Sequence, residues 1–167
     1  MVRATVLSTA LVLLTITAAS PQQAGKSLKE QLVGTWTFVS STVERPDGGN
    51  TWGPNAKGLL ILTPDGYFST QIMRADLPKY ASNSRLKATP EEQTATVEGV
   101  VSYFGKYTID EGAKTLTYHL QGASFPNWIG NDQKRPIISI TGEELKYQNP
   151  SPSGGGKAGE LTWRRAK

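Results

Sequence analysis

Gly58-Leu59-Leu60-Ile61-Leu62-Thr63-Pro64-Asp65-Gly66-Tyr67-Phe68-Ser69 is the stretch that decides the fold. Its aliphatic run, 59–62, is short and suits a buried strand. Thr63-Pro64-Asp65-Gly66 follows, with Pro where a tight turn needs a fixed φ and Gly where it needs a positive one. Residues 67–73 then return as the partner strand. The unit reads as a β-hairpin.

The same grammar extends in both directions. Upstream, 36–44 is rich in Thr, Val and aromatics and ends at Pro46-Asp47-Gly48-Gly49-Asn50. Downstream, 106–109, 115–120, 137–140, 145–148 and 161–165 continue the series, with Asp110-Glu111-Gly112-Ala113 and Thr141-Gly142-Glu143-Glu144 as turns. About eight strands at regular spacing predict a mainly β, antiparallel sandwich or barrel. Residues 150–159, rich in Gly, Ser and Pro, read as a loop before the last strand.

One helix interrupts the strands. Thr89 is an N-cap, Pro90 suits the first helical position, and Glu92 completes a capping box. Val97, Val100, Val101 and Phe104 recur at helical spacing, which predicts a helix over 90–103 with one apolar face laid against the barrel as cover or lid.

Composition narrows the chemistry. The 167 residues are 37% hydrophobic and 19% charged, which excludes a wholly disordered chain and suits one domain. There is no cysteine, so disulfides, thiolate catalysis and thiolate metal sites are excluded. His119 is the single histidine, so a two-His metal site is excluded too, and no metal is expected. The net charge of +4 is scattered, with Arg164-Arg165-Lys167 the one tight group; nothing forms a basic stripe with interleaved aromatics, and no nucleic-acid partner is expected. No Gly-x-Ser-x-Gly elbow or dinucleotide fingerprint occurs, and Gly154-Gly155-Gly156-Lys157 lacks P-loop spacing, so no cofactor is expected either.

Residues 1–24 read as a secretory signal peptide. Arg3 supplies the charge, 10–16 an apolar core, and Ala18-Ala19-Ser20 small residues for cleavage. The mature domain, 25–167, is therefore expected in the periplasm or outside the cell, with no membrane insertion of its own.

Five stretches carry a family likeness. Leu32-Val33-Gly34-Thr35-Trp36 opens the first strand and Leu161-Thr162-Trp163-Arg164-Arg165 closes the last. The hairpin 58–69, Tyr103-Phe104-Gly105-Lys106-Tyr107, and Pro126-Asn127-Trp128-Ile129-Gly130-Asn131-Asp132-Gln133-Lys134-Arg135 lie in order between them. Together they resemble the bacterial and fungal lipocalin-like domain family of calycin barrels. The resemblance implies one up-and-down barrel from Leu32 to Arg165, closed where Gly34 and Trp36 meet a terminal arginine. Strand alternation puts Trp163 and Arg165 on one face, so Arg165 is the expected cation–π cap on Trp36. Barrels of this type house binding proteins and enzymes alike, so function must be argued from the site.

The expected function is to bind a small hydrophobic or amphipathic molecule in the barrel. Candidate contacts are Tyr67, Gln71, Tyr103, Tyr107, His119, Trp128 and Arg135, around a cavity of roughly 300 Å³ or more. Tyr67, Ser69 and Gln71 share one face of their strand, Phe68, Thr70 and Ile72 the other; the first set inward would give a polar lining, outward mere surface. For His119, the leucine face Leu116-Tyr118-Leu120 points the imidazole outward, whereas the family likeness implies an inward histidine on this strand. Arg135 fits either a bidentate carboxylate clamp or a structural ion pair. If His119 and Arg135 converge, the alternative is a small-metabolite isomerase or hydrolase with His119 as acid–base and Arg135 as anion clamp.

Overall fold

A computed structural model describes residues 25–167; the secretory leader expected over 1–24 lies outside the described residues. Eight strands close into one antiparallel barrel in simple sequential order, β1-β2-β3-β4-β5-β6-β7-β8, with β8 returning to β1. They are β1 (Gly34–Ser41), β2 (Lys57–Leu62), β3 (Tyr67–Met73), β4 (Val100–Asp110), β5 (Thr115–Ala123), β6 (Asp132–Ile140), β7 (Glu144–Asn149) and β8 (Gly159–Arg165). Two short helices complete the fold, α1 (Leu28–Leu32) and α2 (Pro90–Gly99).

The decisive hairpin forms as its turn chemistry requires. Leu62 pairs with Phe68 across the turn, and Gly66 adopts φ 89°. Only a residue tolerant of the left-handed region fits that position. Along each strand alternate side chains enter the core, for example Phe68, Thr70 and Ile72 on β3 and Leu116, Tyr118 and Leu120 on β5.

One end is sealed. Trp36 is fully buried, donates from Nε1 to the Leu32 carbonyl at 2.9 Å, and lies under the Arg165 guanidinium at 4.0 Å. Arg165 in turn donates to the carbonyls of Gln31, Val33 and Gly142. The cation is thus held over an indole face while three acceptors take its protons, an arrangement stronger than ring contact alone. Gly34 makes it possible. Its φ is 136°, and a Cβ there would lie 2.8 Å from Arg165 Nη1. Gly34→Ala is expected to cost about 1–3 kcal/mol through strain plus displacement of the arginine, read as a lowered urea midpoint.

The helical segment differs from the reading by spacing. Thr89 and Glu92 form the reciprocal capping box and Pro90 starts α2, but the helix ends at Gly99. Val100, Val101 and Phe104 belong to β4 instead, where Val101 points in and Phe104 is exposed. Val101 and Tyr103 share the inward face of this strand while Val100 and Phe104 share the other, so over so short a window the two faces together imitate a helical spacing. Val97 stays on the helix, largely exposed. α2 lays no apolar face on the barrel, since its buried residues are Glu92 and Gly99, and among the described residues no helix is long and apolar enough to cross a membrane.

Candidate functional site at the open end

The four long connections all emerge at the end opposite Trp36: 42–56, 74–99, 124–131 and 150–158. They enclose a basin of about 340 Å³ whose walls include Arg45, Trp52, Val97, Glu98, Val101 and Phe125. Arg45 spans it, with its guanidinium 3.6 Å from Glu98 on α2 and 3.1 Å from Asp47. Beneath it, a narrow cleft of about 20 Å³ runs inward, bounded by Ile72, Tyr103, Trp128, Asn149 and Leu161. Trp52, Val101 and Gly154 belong to both walls, so the basin and the cleft adjoin with these residues between them. A separate groove of about 490 Å³ lies on the outer wall, bounded by Phe38, Leu59, Gln71 and Met73. It occurs where β1 and β2 part, since their pairing ends at Thr37 and Leu59.

Aromatic rings line the way down. Trp128 meets Phe125 at 5.7 Å and Tyr103 at 5.3 Å, both edge-on, and Tyr103 meets Tyr118 at 5.9 Å. Arg135, on β6, sits below them with 1% exposure; its guanidinium is 5.7 Å from the Tyr118 ring and 6.0 Å from the Trp128 ring. The hydroxyls of Thr70, Tyr118 and Tyr147 influence one another's proton affinity, yet none closes a hydrogen bond. Burial pushes the Tyr118 and Tyr147 phenols well above the ordinary tyrosine range, so both remain protonated donors at neutral pH.

The expected contacts divide into three groups. Tyr103, Trp128 and Arg135 come together in the interior. Tyr107 is buried but committed to the sealed end, where its hydroxyl donates to the Thr63 carbonyl at 2.7 Å; burial, then the charge of Asp65, raises its pKa. Tyr67, Gln71 and His119 lie on the outside. Tyr67 stacks under Lys106 at 5.5 Å, and Gln71 faces the outer groove. The inner face of β3 is Phe68-Thr70-Ile72, because two apolar residues outweigh the burial cost of a single threonine.

An inward His119 is likewise overturned. The imidazole bridges three strands on the outer surface, Nδ1 to Asp132 at 2.7 Å and Nε2 to the Thr108 hydroxyl at 2.9 Å. Leu116, Tyr118 and Leu120 take the interior instead, as their hydrophobicity dictates. His119 and Arg135 therefore stand on opposite faces of the sheet, and the acid–base and anion-clamp pairing does not arise. The expected 300 Å³ space is present in size but sits higher than foreseen, in loops whose residues carry no periodicity. Tyr147 was missed although it alternates with Leu145, and Thr70 although it alternates with Phe68.

Comparisons with known proteins agree with this architecture. Residues 33–166 match the model of a family described as "Lipocalin-like domain". A curated relative, the 4'-hydroxy-3'-methoxypropiophenone carrier protein ppsC of Aspergillus oryzae, is 30% identical over 106 residues, spanning 58% of this chain and 95% of the relative. A solved lipocalin-like protein from Bacteroides uniformis superposes with a TM-score of 0.42 at 14% identity, over 81% of this chain and 99% of that one. The match over nearly the whole barrel places this chain in the lipocalin-like domain family.

Proposed function

We propose that this chain is a carrier for a small, aromatic, amphipathic molecule that enters through the open-end basin and lodges among Tyr103, Trp128 and the interior polar groups. The observation that carries this reading is that the basin adjoins an aromatic-walled cleft across Trp52, Val101 and Gly154, and that this cleft is bounded by Asn149, one of the buried groups without a hydrogen-bonding partner. Such a combination of apolar walls and few polar contacts suits a ligand that is mostly ring, with one or two polar substituents. The curated relative supports the class, since its name gives a phenolic aryl ketone as its cargo. The cleft must widen on binding, because about 150 Å³ is needed for even a benzene-sized ring. The flanking loops 124–131 and 150–158 are the segments able to yield. With residues 1–24 acting as an export leader, the carrier works outside the cytoplasm.

Native mass spectrometry of protein purified from its own source tests this directly. A co-purifying aromatic molecule of a few hundred daltons, released on denaturation, is the expected result. Titration of tryptophan fluorescence with 4'-hydroxy-3'-methoxypropiophenone should show saturable change, because Trp52 and Trp128 line the entry. His119→Gln should bind the same compound with unchanged affinity and lose no more than about 1 kcal/mol of stability, the ordinary range for exposed pairs. Loss of binding in that variant would move the site to the outer face.

A further inference from the structure

Six buried side-chain atoms inside the barrel have no hydrogen-bonding partner: Thr70 Oγ1, Tyr118 OH, Arg135 Nη2, Tyr147 OH, Asn149 Oδ1 and Trp163 Nε1. Arg135 Nη2 and Trp163 Nε1 can only donate, the three hydroxyls can donate or accept, and Asn149 Oδ1 can only accept. Arg135 adds a full positive charge. Its Nη1 donates to the Lys134 carbonyl at 2.9 Å, and Nη2 is left over.

No carboxylate answers that charge. Among the described residues Glu92 is the one buried acid, and its two oxygens accept from Ala81 and Thr89 at the start of α2. Residues 1–24 contain neither Asp nor Glu, so the leader has none to offer. The faces of Tyr118 and Trp128 offset part of the desolvation of the guanidinium, and one water in the cleft could occupy a donor. Neither supplies negative charge. A buried arginine normally has a paired anion, because an uncompensated ion in the interior is strongly unfavourable.

Resting on the carrier reading above, we propose that the missing partner is the ligand itself: an aromatic molecule bound as an oxyanion, a carboxylate or an acidic phenolate, with its negative oxygen on Arg135 Nη2. The tyrosine hydroxyls on β5 and β7 and the threonine on β3 surround the same interior and can donate to the second oxygen of a carboxylate. The fork of the guanidinium suits such a group better than a point charge would. Trp128 reaches both the guanidinium and the cleft wall, so its ring must give way as the acid arrives. A neutral ligand would leave the arginine as it is and gain little from this part of the barrel.

Two matched pairs of probes test the proposal. The first is 3,4-dimethoxybenzoic acid against its methyl ester; the second is 4'-hydroxy-3'-methoxypropiophenone against its 4'-methyl ether. In each pair a single member can ionise strongly, the ketone's phenol being acidified by the para carbonyl. Calorimetric titration of the full described domain should show the ionisable member of at least one pair binding about tenfold or more tightly. The pair that discriminates tells carboxylate from phenolate. In Arg135→Met that advantage should vanish, while the variant without ligand unfolds at the same or higher urea concentration, since removing an unpaired buried charge is neutral or favourable. Arg135→Lys, which keeps charge without the fork, should retain part of the preference. Equal binding of both members of both pairs overturns the oxyanion but leaves the carrier reading standing, as does a preference that survives in Arg135→Met. Failure of all four probes overturns the oxyanion as well; the carrier reading then stands or falls on the co-purified molecule.

Discussion

Trp36→Ala is expected to remove about 3–5 kcal/mol of folding stability, the usual cost of truncating a large buried aromatic. A domain of this kind has only about 5–15 kcal/mol in total, so the variant should lie near its unfolding threshold at physiological temperature. The effect comes from three losses at one place. The indole fills the sealed end with no exposed surface, its Nε1 satisfies the Leu32 carbonyl, and its face carries the Arg165 guanidinium. Truncation leaves a cavity, an orphan carbonyl and a cation without its platform. Because β1 meets β8 at Trp36 and Arg165, the damage falls on the seam that closes the cylinder. Urea unfolding followed by far-ultraviolet circular dichroism should show the midpoint falling with little change in slope. A shift worth under about 1 kcal/mol would mean that the seal contributes little to closure.

The second large effect is alkaline unfolding. Burial raises the phenols of Tyr118 and Tyr147 above the ordinary tyrosine range; Tyr118 raises Tyr147 further, whereas Tyr147 and Thr70 draw Tyr118 part of the way back. The folded state therefore holds protons that the unfolded chain releases above pH 10. Stability is complete below that pH and falls as it rises further, by about 1.4 kcal/mol per unit for each tyrosine still protonated in the fold. Two such residues should bring cooperative unfolding within roughly two units above pH 10. Tyrosinate absorbance and circular dichroism should change together. Tyr118→Phe with Tyr147→Phe should move the transition to higher pH, and should cost little at pH 7 because neither hydroxyl has a partner to lose. Ionisation of all tyrosines before any loss of structure would contradict the buried, unionised state of this pair.

How far the sequence reached depended on whether a property was local. The hairpin at 58–69 was legible because Pro64 and Gly66 fix their own backbone, whatever the rest of the chain does. The capping box at Thr89 and Glu92 is local in the same sense. The end of α2 was not, because Val97, Val100, Val101 and Phe104 fit a helical period, and only pairing with β3 shows the last three to belong to a strand. Strand facing was recoverable where both faces are clearly different in hydrophobicity. Leu116, Tyr118 and Leu120 announce their side, and the outward His119 follows from the same rule that the family likeness argued against. On β3 the rule was obscured, since Thr70 is polar yet inward and Tyr67 is aromatic yet outward.

The candidate site was less legible still. Arg135 and Trp128 could be picked out by type, but the lack of a counter-charge is a property of the whole interior. No local pattern announces that Thr70, Tyr118, Tyr147 and Trp163 all arrive without partners. The basin residues Arg45 and Trp52 come from a loop and Glu98 from the last turn of α2, and their positions are set by the strands these segments join rather than by any shared period.

A carrier of this build would have its doorway at the loop end. With the far end stoppered by tryptophan and arginine, a cargo would leave along the path by which it came, so capture and release would share a single barrier in the rim loops. Two cargoes could not pass one another, and residence time would be a property of those loops as well as of the anchor. Gly25 and Arg165 border the same hollow at the stoppered end, which gives the barrel a polarity. A tether joined at Gly25 or just after Arg165 would leave the entrance facing outward, free to meet whatever delivers or receives the load.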